Sequence, residues 1–208
     1  MVDLAHFPRV KVCGITVFED VEPAFAHGLD AVGFVRWPGS PRCLSDAAAR
    51  ELADALPPGV LRVEVLVDAT PEQVSPWASA VQLCGGEAPE RWFDFRLPIL
   101  RRIPVEPGAE IVIESWSGVA AGFVLDHPSG PGGTGAAVDL ELARALARRA
   151  PCLLAGGLDE TNVAARVRAV RPGGVDASSR LESKPGRKIG ARVAAFVRAA
   201  RAALEESP

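Results

Sequence analysis

Short apolar runs of strand length, each followed by a stretch with helical spacing, recur along this chain almost from end to end. The runs fall at residues 10–15, 31–35, 61–67, 80–83, 99–105, 122–126, 152–155 and 174–177. Helical spacing fills most of the gaps, at 19–27, 46–56, 71–78, 140–149, 160–170 and 189–205. Thr70 before Pro71-Glu72-Gln73 forms an N-cap with proline at the first helical position, and Gly28 after His27 is a helix stop. Strands alternating with helices predict a parallel sheet. Eight strands in 208 residues leave about 26 residues per unit, enough for an α/β fold of the single-domain (β/α)8 or TIM barrel type over residues 1–208. The weak unit is 108–121, where Ile111-Val112-Ile113 reads as strand rather than helix, so the fifth helix is expected to be short or missing. No proline- or glycine-rich linker divides the chain, which favours one domain.

Composition narrows the function. At 48% hydrophobic residues a chain of this length can bury most of its apolar surface without disulfides or metals. A net charge of −3 offers no broad basic field, so no nucleic-acid partner is expected, and the arginines scattered through the helical stretches read as solvated faces. Cys13, Cys43, Cys84 and Cys152 lie far apart without CxxC or Cys/His ligand spacing, and His6, His27 and His127 are equally scattered. No metal site is expected from this pattern. With no charged leader ahead of an apolar core and no run of about 18 apolar residues, the expectation is a cytoplasmic protein with reduced thiols and no membrane partner.

The chemistry sits where strands end. The run Arg9 to Thr16 puts a thiol, Cys13, at the exit of an apolar strand, and Gly122 to His127 does the same with a carboxylate, Asp126. In a parallel barrel such groups collect at one mouth. Alternation along a strand puts Lys11 on the face of Cys13. A buried lysine must be paired, so Lys11 is expected to meet Glu64 or Asp176 inside the barrel. Three turns after late strands are glycine- or serine-rich: Gly130 to Gly135, Gly156-Gly157 and Ser178-Ser179. Such backbone lets N–H groups approach an anion, and the loops after strands seven and eight of these barrels commonly hold phosphate. A small phosphorylated substrate is expected. Each residue has a plain alternative: Cys13 as a buried small hydrophobe, Asp126 as a turn cap, Arg42 as a surface charge, Ser178 and Ser179 as a helix N-cap. The functional readings carry weight jointly.

The chain resembles the phosphoribosylanthranilate isomerase family of tryptophan biosynthesis. The matching blocks, in family order, begin with Lys11 to Thr16, Gly33-Phe34-Val35 with Ser40-Pro41-Arg42, and Gln82-Leu83. They continue with Leu125-Asp126 through Gly132 to Gly135, Leu154 to Leu158 with Asn162-Val163, and Gly174 to Ser179 with Glu182 and Pro185-Gly186. The resemblance implies an Amadori rearrangement of N-(5-phosphoribosyl)anthranilate to 1-(2-carboxyphenylamino)-1-deoxyribulose 5-phosphate. It implies Cys13 as general base, Asp126 as general acid and Arg42 as holder of the anthranilate carboxylate. Phosphate would be held at Gly156, Gly157, Ser178 and Ser179, with Gly133 also binding substrate, with neither cofactor nor metal, in a monomer or homodimer. Departures from the family pattern are Cys84 for histidine, Arg180 for glycine, Gly39 for lysine, and Ala136-Ala137-Val138 for a lysine- and aromatic-containing stretch.

The implied roles need a thiolate and a protonated carboxyl. For an unperturbed thiol, forming the thiolate at neutral pH costs about 2 kcal/mol, so a neighbouring cation would help. Two other readings stay open: a related phosphosugar isomerase or synthase barrel, in which carboxylates or lysine would be expected at position 13, and a non-catalytic barrel that binds a phosphorylated metabolite.

Overall fold

The computed structural model describes residues 7–128 and 137–206. Eight parallel strands close into a barrel in sequential order: β1 (Val10–Cys13), β2 (Ala31–Val35), β3 (Leu61–Leu66), β4 (Ala80–Leu83), β5 (Ile99–Pro104), β6 (Gly122–Asp126), β7 (Cys152–Leu154) and β8 (Gly174–Ala177). The last strand pairs back onto the first, with Lys11 beside Asp176 in the register. The closed parallel barrel expected from the apolar runs is the observed architecture. A short antiparallel hairpin, β9 (Glu182–Lys184) with β10 (Arg187–Lys188), follows β8.

Strand alternation sorts the side chains into two apolar clusters. Outward residues such as Val10, Val12, Phe34 and Leu125 meet the helices, while Val63, Val65, Leu100, Val124 and Leu153 fill the lumen. The helices are α1 (Glu22–Phe25), α2 (Asp46–Asp54), α3 (Ala109–Ser115), α4 (Leu140–Ala147), α5 (Val163–Val170) and α6 (Gly190–Glu205). The longest, α6, buries Val193, Phe196, Val197, Ala200, Ala203 and Leu204, the one-sided stripe of a 3.6-residue period.

Two local expectations need correcting. Residues 111–113 lie in a helix, not a strand. Gly108, at φ +90, turns the chain into α3, whose Ala109 and Ile113 face the core four residues apart while Ile111 is exposed. The fifth helix is therefore present and short. The helix expected over 71–78 is a single 3₁₀ turn, Pro71–Gln73. Pro76 disfavours helical geometry at Ser75, and Ser75 instead turns inward to satisfy Glu64: its N–H and hydroxyl donate to the two carboxylate oxygens at 2.7 and 2.8 Å. Glu64, with Phe34 beside it in the register, points to the helix layer, so Lys11 meets Asp176 and not Glu64. Among the described residues, no helix is long and apolar enough to cross a membrane.

Candidate active site

The C-terminal ends of the strands open into one cavity of about 770 Å³, counting its open mouth. Cys13, Arg42, Asp126, Gly156, Gly157, Ser178 and Ser179 all line it, together with Asp176, Cys84 and Arg180. Gly133 and the rest of the 130–135 turn lie outside the described residues. The groups separate by origin. Cys13 ends β1, Arg42 comes from the loop after β2, Asp126 ends β6, and the glycine and serine pairs follow β7 and β8.

Small residues make the room. A Cβ at Gly33, on the neighbouring strand, would lie 2.7 Å from the Cys13 sulfur, so any side chain there would displace the thiol. Gly156 and Gly157 take φ values of +80 and +67, which L side chains rarely adopt, and the Asn162 amide donates to the Gly157 carbonyl at 2.9 Å to hold this turn. Ser178 Oγ donates to the Cys13 carbonyl at 2.9 Å, tying the β8 loop to the β1 exit.

Two buried lysines flank the thiol. Lys11 Nζ lies 2.8 Å from Asp176 Oδ2 and is fully buried. Burial alone would lower its pKa, but Asp176 and then Cys13 outweigh that and raise it, so Lys11 stays charged. Burial raises the Asp176 pKa and Lys11 pulls it back. At 2.8 Å the pair is ionic at neutral pH, because each partner removes the other's reason to neutralise. Lys188 Nζ bridges Glu182 Oε1 at 2.6 Å and Ser178 Oγ at 3.2 Å. Cys13 itself is pushed up by burial; Lys11 lowers it, Asp176 raises it and Lys188 lowers it. The site thus supplies the cations that a thiolate needs.

Arg42 is held as a fork: Nε donates to Glu182 Oε1 and Nη2 to Oε2, both at 2.8 Å. These bonds use two of its five donors, and Arg42 lines the cavity. Asp126 accepts from the His127 N–H at 2.8 Å and faces Arg102 Nε at 3.4 Å. Arg102 is secured by donating from Nη2 to the His127 carbonyl at 2.7 Å. Among the described residues, no group of three or more His, Cys, Asp or Glu is placed to hold a metal ion.

The sequence reading did not single out Arg102 or Lys188, and it gave Glu182 no role. The signals were present. The chain has three lysines, Lys11, Lys184 and Lys188, among 23 basic residues, and the two that are buried, Lys11 and Lys188, flank the thiol. Arg101-Arg102 is a charged doublet inside a strand-length apolar run. Arg101 faces outward to Glu87 at 2.6 Å, which leaves Arg102 facing the lumen.

An eight-stranded parallel barrel with a thiol, two carboxylates and glycine and serine turns at its C-terminal mouth defines a (β/α)8-barrel protein with its candidate site at the face where such barrels carry theirs. The profile of the family N-(5'-phosphoribosyl)anthranilate (PRA) isomerase matches residues 10–199. The N-(5'-phosphoribosyl)anthranilate isomerase of Rubrobacter xylanophilus is 44% identical, covering 93% of this chain and 98% of its own. A crystal structure of phosphoribosyl anthranilate isomerase from Thermotoga maritima superimposes with a TM-score of 0.83 at 33% identity, covering 93% of this chain and 98% of that one. A second structure is in complex with reduced 1-(o-carboxyphenylamino)-1-deoxyribulose 5-phosphate. It gives a TM-score of 0.79 at 32% identity, over the same 93% and 98%. The chain belongs to the phosphoribosylanthranilate isomerase family.

Proposed function

We propose that this chain, acting as one barrel domain, rearranges N-(5'-phosphoribosyl)anthranilate to 1-(2-carboxyphenylamino)-1-deoxyribulose 5-phosphate, with Cys13 as general base and Asp126 as general acid. One observation carries the assignment of residues. Both groups line a single cavity together with a guanidinium, Arg42, and the Gly156-Gly157 and Ser178-Ser179 backbone. That set of groups matches a substrate that carries a carboxylate and a phosphate as well as the reacting carbons.

Asp126 gives a proton to the ribose ring oxygen as the C1–O bond breaks, leaving a protonated imine at C1. The positive nitrogen acidifies C2–H. Cys13 thiolate takes that proton, and the C–H electrons form the C1=C2 bond while the imine π electrons settle on nitrogen. The enolamine then gains a proton at C1 and loses one from the C2 hydroxyl, giving the ketone. Lys11 and Lys188 oppose the burial that disfavours the thiolate. Asp126 rests beside Arg102, whose Nε lies 3.4 Å from its Oδ2. Arg42, clamped by Glu182, holds the aryl carboxylate without having to be ordered on binding. Arg180 adds positive charge beside the phosphate turns. The acting form is a monomer or a homodimer.

The test follows the loss of substrate fluorescence with wild type, Cys13→Ala and Asp126→Asn, with circular dichroism to verify folding. Both variants are expected to lose nearly all turnover while remaining folded. A folded variant that keeps the wild-type rate removes that residue from the mechanism.

A further inference from the structure

The cavity has an aromatic wall for which the proton transfers have no use. Trp37 lines it and packs on the apolar cluster of the lumen, whereas Trp77, Trp92 and Trp116 are buried elsewhere. It shares a loop with Arg42, and consecutive turns fix the two relative to each other. Ser40 N–H donates to the Trp37 carbonyl at 3.0 Å, and Arg42 N–H donates to Ser40 Oγ at 3.1 Å. Gly39 completes the arrangement. A Cβ built there would stand 2.3 Å from Trp37 Cζ2 and 2.5 Å from Cη2, so the indole lies folded back over the space a side chain would occupy.

An indole and a guanidinium delivered by one loop to one cavity are complementary to an aromatic ring bearing a carboxylate. Rings prefer offset or edge contact with an aromatic partner, and the planar fork of arginine takes the carboxylate. From this geometry we infer that Trp37, seated on Gly39, is a specificity-determining platform that contacts the aryl ring of the substrate while Arg42 takes its carboxylate. The inference rests on the isomerase reading and adds to it the residues that recognise the aromatic half. Lining alone would let Trp37 serve merely as packing for the loop, and the test separates the two.

Steady-state kinetics are measured for wild type, Trp37→Ala, Trp37→Phe, Gly39→Ala and the Trp37→Ala/Gly39→Ala pair. Two competitive inhibitors are used: the reduced product analogue, which carries the carboxyphenyl group, and inorganic phosphate, which does not. Trp37→Ala is expected to weaken the analogue and raise KM by about tenfold. The effect falls on KM more than on kcat, inhibition by phosphate is unaltered, and Trp37→Phe recovers most of the loss. Gly39→Ala raises KM in the wild-type background and adds nothing once the indole is gone. Unaltered analogue affinity in Trp37→Ala, or equal weakening of analogue and phosphate, overturns the platform with the isomerase reading intact. A wild type without turnover overturns that reading, and the platform with it.

Discussion

Replacing Lys11 by methionine removes the buried cation while keeping an unbranched side chain of similar length. Asp176 is 7% exposed, Lys11 is its partner through Oδ2, and Oδ1 has no hydrogen-bond partner among the described residues. The variant therefore strands a buried carboxylate with neither oxygen satisfied. Breaking a buried pair from one side costs about 3–5 kcal/mol, a large share of the roughly 5–15 kcal/mol that holds a domain together. At about 2–4 °C per kcal/mol for a chain of this size, Tm should fall by roughly 6–20 °C. The loss should depend on pH. Burial already raises Asp176 above its ordinary value of 3.8, and without Lys11 it rises further. The folded state then binds a proton that the unfolded state does not, so stability falls as pH climbs from the unfolded value through the raised folded one, and acidification restores part of it. Urea and thermal unfolding from mildly acidic to neutral pH, on Lys11→Met and on Lys11→Met/Asp176→Leu, measure this. The double variant should recover most of the loss, because apolar replacement of both partners is close to neutral. A Lys11→Met protein within about 1 kcal/mol of wild type, or a double variant no better than the single, would refute the reasoning.

The remaining predictions concern the thiols and the Arg42 fork. Iodoacetamide should inactivate the enzyme by alkylating Cys13 at a rate that climbs with pH, and in Lys11→Met the profile should move to higher pH, because Lys11 opposes the upward push of burial. Peptide mass spectrometry should find Cys84 and Cys152 unmodified at neutral pH, since burial pushes both thiols up to about 12. Burial acts to raise Glu182, but Arg42 and Lys188 prevail and hold it below its ordinary 4.5. Its contribution to stability is thus present above the unfolded value and lost as pH falls through the folded one. Glu182→Gln should flatten the acid limb of a stability–pH profile, and it should raise KM by releasing the fork.

Much of this molecule was legible along the chain. Strand positions followed from short apolar runs, because a barrel strand is covered on both faces and its composition reports that directly. Strand ends then located Cys13 and Asp126, since parallel strands all leave the barrel on one side. Helices were less legible. The period of Ile111-Val112-Ile113 is ambiguous, and the left-handed Gly108 together with the neighbouring core decided for helix. Pro76 truncated the helix expected before β4, in favour of a buried hydrogen bond to Glu64.

What the sequence by itself determined is the repeat, and with it a closed parallel barrel on which Cys13, Asp126, Gly156-Gly157 and Ser178-Ser179 share a rim. What the tertiary structure alone decided is which charges meet. Lys11 chose Asp176 because β1 and β8 close the barrel side by side, and Arg42 found Glu182 across 140 residues. Trp37 found its seat because Gly39 leaves one. Periodicity is a local property that each segment carries alone. Ion pairs and packing contacts depend on distances that exist once the last strand has returned to the first.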